Sequence, residues 1–247
     1  MREEELYRSP NALAPAYSRF RVGERLLLTG HSHQAWPDRA RDGQVRAFDD
    51  AALLVDAKWE RAFAQADRVR RGFAQLMADD AGDLALAANT HELVVRFLSA
   101  LPLRQRPRLV TTDGEFHTIR RQLDRLAEAG IEVVKVPAAP VAAVAERLAR
   151  AVDGRTAAVL VSAVFFGSGA IVPGLGEVAR AAHAAGAELL VDVYHSLGVM
   201  PFPLERLGLA QAFVVGGGYK YCQLGEGNCF LRSPRGCTLR PVLTGWF

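Results

Sequence analysis

The chain has 247 residues, with 30 lysines and arginines against 27 acidic residues, and half of its positions are hydrophobic. That balance belongs to an ordinary folded protein and excludes a disordered, collagenous or coiled-coil chain. The net charge of +3 is spread along the sequence, which gives no reason to expect a nucleic-acid partner.

The elements follow in chain order. Met1 to Arg25 reads as an irregular N-terminal arm carrying Pro10 and Pro15, and residues 26–247 read as one large domain. From Pro37 to Met77 the pattern is helical, with Phe63, Ala66, Val69, Phe73 and Leu76 at spacings of three and four. Strand and helix signals then alternate. Strands are expected at Leu84–Ala88, Arg108–Thr111, Glu132–Val136, Ala157–Val161, Glu188–Val191, Ala212–Val215 and Asn228–Leu231. Helices are expected at Glu92–Leu101, Phe116–Ala129, Val141–Ala151, Gly174–Ala185 and Leu204–Leu207. Gly130 and Gly186 stand where left-handed helix C-caps occur. The longest apolar run, Ala157 to Phe166, is far below the ~20 residues that span a bilayer, so no membrane partner is expected. Three cysteines cannot close a disulfide set, and Met1 to Pro10 has no apolar signal core, so the expected location is cytoplasmic.

Alternating strand and helix implies an α/β fold with a mostly parallel, mixed central sheet flanked by helices. Ligands of such sheets bind beyond the carboxyl ends of the strands. Asn89-Thr90, Thr112-Asp113, Ser162, Asp192-x-x-His195 and Gly216-Gly217-Gly218-Tyr219-Lys220-Tyr221 all follow apolar runs and gather on that edge.

The thirty basic residues include only three lysines: Lys58, Lys135 and Lys220. Lys58 reads as a solvated helix charge and Lys135 as a strand-edge residue. Cys222, Cys229 and Cys237 lack metal spacing and read as packing residues or ordinary thiols. Lys220 follows three glycines that permit close backbone approach, and it reads either as a loop lysine or as a Schiff-base lysine. Asp192 lies 28 residues earlier on the same edge. A pyridoxal phosphate enzyme needs a carboxylate at the pyridine nitrogen, a lysine for the aldehyde and donors for the phosphate. Thr90, where a strand gives way to a helix, suits the last role. Taken singly, Asp192 reads equally as a turn cap and Thr90 as a helix N-cap.

These residues resemble the class V aminotransferase group of fold-type I pyridoxal phosphate enzymes, and within it the kynureninase family, over nearly the whole chain. The resemblance rests on Asp192-Val193-Tyr194-His195-Ser196-Leu197-Gly198, Tyr219-Lys220-Tyr221, Gly225-Glu226-Gly227 and Gly245-Trp246-Phe247. It implies the large domain of a fold-type I transferase with pyridoxal 5′-phosphate as cofactor and no metal. Lys220 would carry the cofactor and shuttle the Cα proton, with Asp192 at the pyridinium nitrogen and Tyr219 beside them as the catalytic set. Asn89, Thr90, Asp113, Phe116, Ser162, His195, Tyr219 and Trp246 would complete the cofactor site, Phe116 rather than His117 stacking on the ring. Ser32 and His31 would lie near an amino-acid substrate. The implied reaction is hydrolysis of the Cβ–Cγ bond of kynurenine or 3-hydroxykynurenine to an anthranilate and alanine, in a homodimer.

The sequence departs from the family at Ser162-Ala163-Val164-Phe165-Phe166, at His31 and at Val110-Thr111. Members continue into a small C-terminal domain bearing a carboxylate-binding arginine, whereas this chain stops at Phe247, so weak turnover is the expectation. Other class V activities stay open: transamination, epimerisation or sulfur removal. So does a truncated, impaired homologue. Two rival chemistries carry weaker signals. His31-x-His33 could begin a metal-dependent hydrolase site. Gly174-x-Gly176 loosely fits a dinucleotide fingerprint, without the strand that should precede it.

Overall fold

The computed structural model describes residues 3–6, 8, 12–24, 27–80 and 82–245. The elements are α1 (Glu3–Leu6), α2 (Asp38–Leu54), α3 (Lys58–Leu76), β1 (Asp83–Ala87), α4 (Thr90–Ala100), β2 (Arg108–Thr112), α5 (His117–Glu128), β3 (Glu132–Val136), α6 (Val144–Ala151), β4 (Thr156–Ser162), α7 (Leu175–Ala184), β5 (Glu188–Asp192), β6 (Phe213–Gly217) and β7 (Cys229–Ser233). The seven expected strands all form, shifted by at most two residues. They make one sheet in the order β1-β7-β6-β5-β4-β2-β3. β7 runs antiparallel to both neighbours, so the other six strands point one way.

The apolar runs work because successive strand residues point to opposite faces. Leu109, Leu160, Leu190, Phe213 and Val215 pack on one side with Leu93, Phe97, Leu98, Ile119 and Leu123 of α4 and α5. Val110, Val159, Val161, Leu189, Val191 and Val214 pack on the other with Val144, Leu148 and Val178 of α6 and α7. Burying such a side chain contributes roughly 1.5–3 kcal/mol, so two covered faces give the sheet its stability and pin its register. Gly130 and Gly186 take the left-handed conformation at φ 93° and 66°, as the helix endings required.

Two expectations need correction. The stretch from Pro37 to Met77 is not one helix: Val55 at φ 51° and a 3₁₀ turn at Val55–Ala57 split it. Of the apolar stripe only Phe73 enters the core; Ala66 and Val69 are half-buried, and Phe63 and Leu76 remain exposed. Leu204–Leu207 forms no helix; it is a single turn in which the Leu207 N–H bonds the Pro203 carbonyl. Four residues with a glycine next in line cannot repay helix nucleation. Lys135 lies on the edge strand β3 and pairs with Asp124 of α5, as a strand-edge charge should.

Candidate active site

The carboxyl ends of the six like-directed strands share an edge with Cys229, the first residue of β7. A cavity of about 130 Å³ opens there, lined by Ala88, Asn89, Thr90, Phe116, Asp192, Tyr194, His195, Tyr219, Lys220, Glu226, Gly227 and Cys229. Residues from separate loops converge because every strand of the parallel set ends on this side.

Lys220 stands on the loop after β6 and is 5% exposed. Its Nζ donates to His195 Nε2 at 2.8 Å and lies 4.7 Å from the Tyr194 ring centre, 5.2 Å from Phe116 and 5.8 Å from Tyr219. Burial among these rings pushes the ammonium down to about 8, partly offset by the negative charge of Asp192. The glycines before it serve packing rather than a sharp turn: none of Gly216, Gly217 and Gly218 has positive φ. A Cβ on Gly217 would fall 2.5 Å from Tyr194 Oη and 2.7 Å from Cys229 Sγ, and one on Gly218 would fall 2.7 Å from the Leu224 side chain.

Asp192 closes β5 and is almost fully buried. Its Oδ1 accepts the Tyr194 N–H at 2.8 Å. Burial raises its pKa to about 6, against the pull of that hydrogen bond and of Lys220. The His195 ring is pushed down to about 4, first by burial and then by the Lys220 charge, while a backbone hydrogen bond at His31 opposes the shift. The ring is therefore neutral at pH 7, and its Nε2 is free to accept from Lys220.

Asn89 caps α4, its Oδ1 accepting the Glu92 N–H at 2.8 Å. The first turn of a helix leaves backbone N–H groups without intrahelical partners, so this wall of the cavity is electropositive. Tyr219 packs edge-on against Tyr194 and His33. Phe116, the residue before α5, contacts the rings of His195 and Phe166. His117 turns outward to Arg120 and does not line the cavity.

Several residues singled out from the sequence stand elsewhere. Asp113 is exposed, and its carboxylate accepts the Ala138 N–H at 2.7 Å, outside the cavity lining. Ser162 is buried beside Asp192 in the sheet register, but its hydroxyl donates to Glu115 at 2.5 Å. Ser32 bonds back to the Thr29 carbonyl, and neither it nor His31 lines the cavity. Trp246 lies outside the described residues. His31 and His33 diverge, one beside His195 and the other against Tyr219, and among the described residues no cluster of three or more ligating side chains could hold a metal. Gly176 lies where a Cβ would meet the Leu207 carbonyl at 2.6 Å, so its small size serves packing.

Sequence reasoning missed Tyr194, Glu226, Cys229 and Glu115. Cys229 is more than a packing thiol: it lines the cavity because β7 alone begins on this edge. The place of Tyr194 between Asp192 and His195 was the signal that could have found it. Glu115 carries no motif signal beyond its place before Phe116.

The seven-stranded, mostly parallel sheet and its flanking helices match the fold of pyridoxal phosphate-dependent transferases. Solved structures bear this out: C-DES, in a mutant with glycine covalently linked to its PLP cofactor, superposes with a TM-score of 0.75 at 17% identity, covering 94% of this chain and 62% of that one. No family model matches the chain. Among curated proteins, the uncharacterized aminotransferase YcbU of Bacillus subtilis is 22% identical over 82% of this chain and 54% of its own length. The kynureninase of Pseudomonas fluorescens is 26% identical over 96% of this chain and 59% of its own length. The chain thus spans a little over half the length of these relatives. The resemblance to class V fold-type I enzymes read from the motifs holds in these matches.

Proposed function

We propose that this chain is a pyridoxal phosphate-dependent enzyme of the class V group acting on a small amino acid. The observation that carries the reading is the burial of Lys220 and Asp192 in one strand-end cavity that also holds the N-terminus of α4. These residues fit the cofactor's three demands: an amine for its aldehyde, a carboxylate for its ring nitrogen and N–H donors for its phosphate. When bound, the cofactor supplies an electron sink for bonds broken at the substrate α-carbon.

The side chains then have separate tasks. Lys220 carries the cofactor and moves the α-proton. Asp192, held by the Tyr194 N–H, keeps a proton on the ring nitrogen. His195 stays neutral and holds the lysine amine by accepting from it. Phe116 and Tyr194 cover the cavity and exclude water, which strengthens the charge interactions inside. Thr90, Asn89 and Tyr219 take the phosphate end. Residues 26–247 form the cofactor-binding domain and residues 1–25 the arm.

Within the group we favour kynureninase-type hydrolysis of a Cβ–Cγ bond. Support comes from Asp192-x-x-His195 with Tyr219-Lys220-Tyr221 and from the 26% identity that extends over 96% of the chain. The second reading is transamination or sulfur removal, supported by the YcbU match and by C-DES, whose structures include one with cysteine persulfide as product. A homodimer is proposed because α2 has no buried residue and Val45, Phe48, Leu53 and Phe63 leave an apolar face open. Three free thiols support a reducing, cytoplasmic setting. The test is product analysis of the cofactor-loaded protein with kynurenine, with cysteine, and with an amino-acid and keto-acid pair. Anthranilate plus alanine supports the first reading; persulfide or a new amino acid supports the second; no turnover of any overturns both.

A further inference from the structure

Glu115 is 1% exposed, and the cofactor reading used it only to mark Phe116 and gave it no role of its own. It follows β2, and its Oε1 accepts the Thr112 hydroxyl at 2.6 Å while its Oε2 accepts the Ser162 hydroxyl at 2.5 Å. The Thr112 hydroxyl also accepts the Gly114 N–H at 3.2 Å, which helps hold it in place. Ser162 is the register partner of Asp192 across β4 and β5. A carboxylate gripped on both oxygens by fixed donors therefore lies one strand away from the buried acid of the cavity, in electrostatic contact with it.

We propose that Glu115 is a positioning residue for Asp192: a second carboxylate, wedged between Thr112 and Ser162, that strengthens Asp192's hold on a proton at the cofactor's ring nitrogen. The physical reason is that two like charges in a low-dielectric floor repel, and a cation placed against one of them relieves both. Lys220 is the cation that acts on Asp192 from the cavity side, and Tyr194 supplies its backbone N–H. Burial raises Glu115 to about 7, with Asp192 adding to the rise, so this second charge is half formed at neutral pH and complete above it. The inference rests on Asp192 being the partner of the ring nitrogen.

The experiment follows the ring nitrogen directly. Pyridoxal phosphate labelled with ¹⁵N in the ring is bound to the wild-type chain and to Glu115→Gln, and the nitrogen shift is recorded against pH. In Glu115→Gln the ring nitrogen should lose its proton at a pH lower by roughly half a unit or more, about threefold in the dissociation constant. A second readout, the pH dependence of Lys220 labelling in the cofactor-free chain, separates charge from loosening. Lys220 should stay near 8 in the variant. An unchanged nitrogen midpoint, or a Lys220 midpoint climbing back toward the ordinary lysine range, overturns the proposal. Should Glu115→Gln not fold, Ser162→Ala carries the same test: Glu115 keeps its proton to higher pH and the nitrogen midpoint falls, by less. A wild-type chain that binds no cofactor sinks the functional reading itself, and this inference with it.

Discussion

Lys220 Nζ and His195 Nε2 stand 2.8 Å apart, and both groups are displaced toward their neutral forms by the same enclosure. Between about pH 4 and 8 the lysine is the donor and the imidazole the acceptor. The pair holds the amine among the rings of Tyr194, Phe116 and Tyr219, and its lowered pKa makes far more of the neutral amine that attacks an aldehyde available near pH 8 than an ordinary lysine would offer.

The first prediction follows from that displacement. Only an unprotonated amine is nucleophilic. Cofactor uptake should therefore rise about tenfold per pH unit up to about pH 8 and level off above it. After borohydride reduction, peptide mapping should find the label on Lys220. A label on Lys58 or Lys135, or an uptake rate still climbing at about pH 10, would count against the assignment.

Asp192 supplies the second. Replacing it with Ala leaves Lys220 able to take up the cofactor but removes the charge that holds the ring-nitrogen proton. Turnover of whichever substrate the product analysis identifies should fall roughly a thousandfold or more, the scale of an electrostatic partner lost at the reacting centre. Asp192→Glu should fall less, since the carboxylate survives in a shifted position. Near-normal rates in Asp192→Ala would remove it from the mechanism.

The sheet was legible because both of its faces are covered, so the strands read as apolar runs ending in polar residues. Lys220 and Asp192 were legible in combination, as one of only three lysines and a carboxylate that both follow apolar runs on the same edge of the sheet. What could not be read was which strand-end side chains turn inward. Asp113 and Ser162 look equivalent in sequence, yet one faces solvent and the other serves Glu115. Cys229 was hidden because nothing in its local pattern tells that β7 runs against the others. Helix α3 misled through periodicity alone, since an apolar stripe gives no information on what covers it.

A third prediction concerns acid stability. His195 has a folded pKa of about 4 against an ordinary 6.5, so the folded state resists protonation. Its contribution is present above pH 6.5 and is lost as pH falls from there through 4. Asp192 and Glu115 have raised values, so their contributions run the other way and are lost as pH rises through about 6 and 7. Comparing urea midpoints of wild type and His195→Gln at about pH 7.5 and 5 isolates the histidine. On acidification the variant should lose less stability than wild type, by about 1 kcal/mol after allowing for the half-exposed ring. Equal losses in the two proteins would show that the ring titrates normally.

The last prediction lies behind the site, at the ion pair of Arg232 and Asp79. Arg232 is 1% exposed; its Nε and Nη2 donate to the two oxygens of Asp79 at 2.7 and 3.0 Å, and its Nη1 donates to the carbonyls of Ala210 and Ala212. The guanidinium thus ties β7 to the segment after α3 and to the approach of β6, the strand that delivers Lys220. Removing one partner of a buried pair strands the other charge, which costs about 3–5 kcal/mol, whereas replacing both with apolar groups is often neutral. Asp79→Ala should therefore lower the unfolding free energy by that amount, and Asp79→Leu combined with Arg232→Met should recover most of it. Cofactor uptake by the double variant, measured at about 25 °C where it is folded, should remain near wild type, because the pair supports β6 without touching the cavity. Equal destabilisation in the single and double variants would mean that the carbonyl contacts of Arg232, not its pairing with Asp79, hold this side of the sheet.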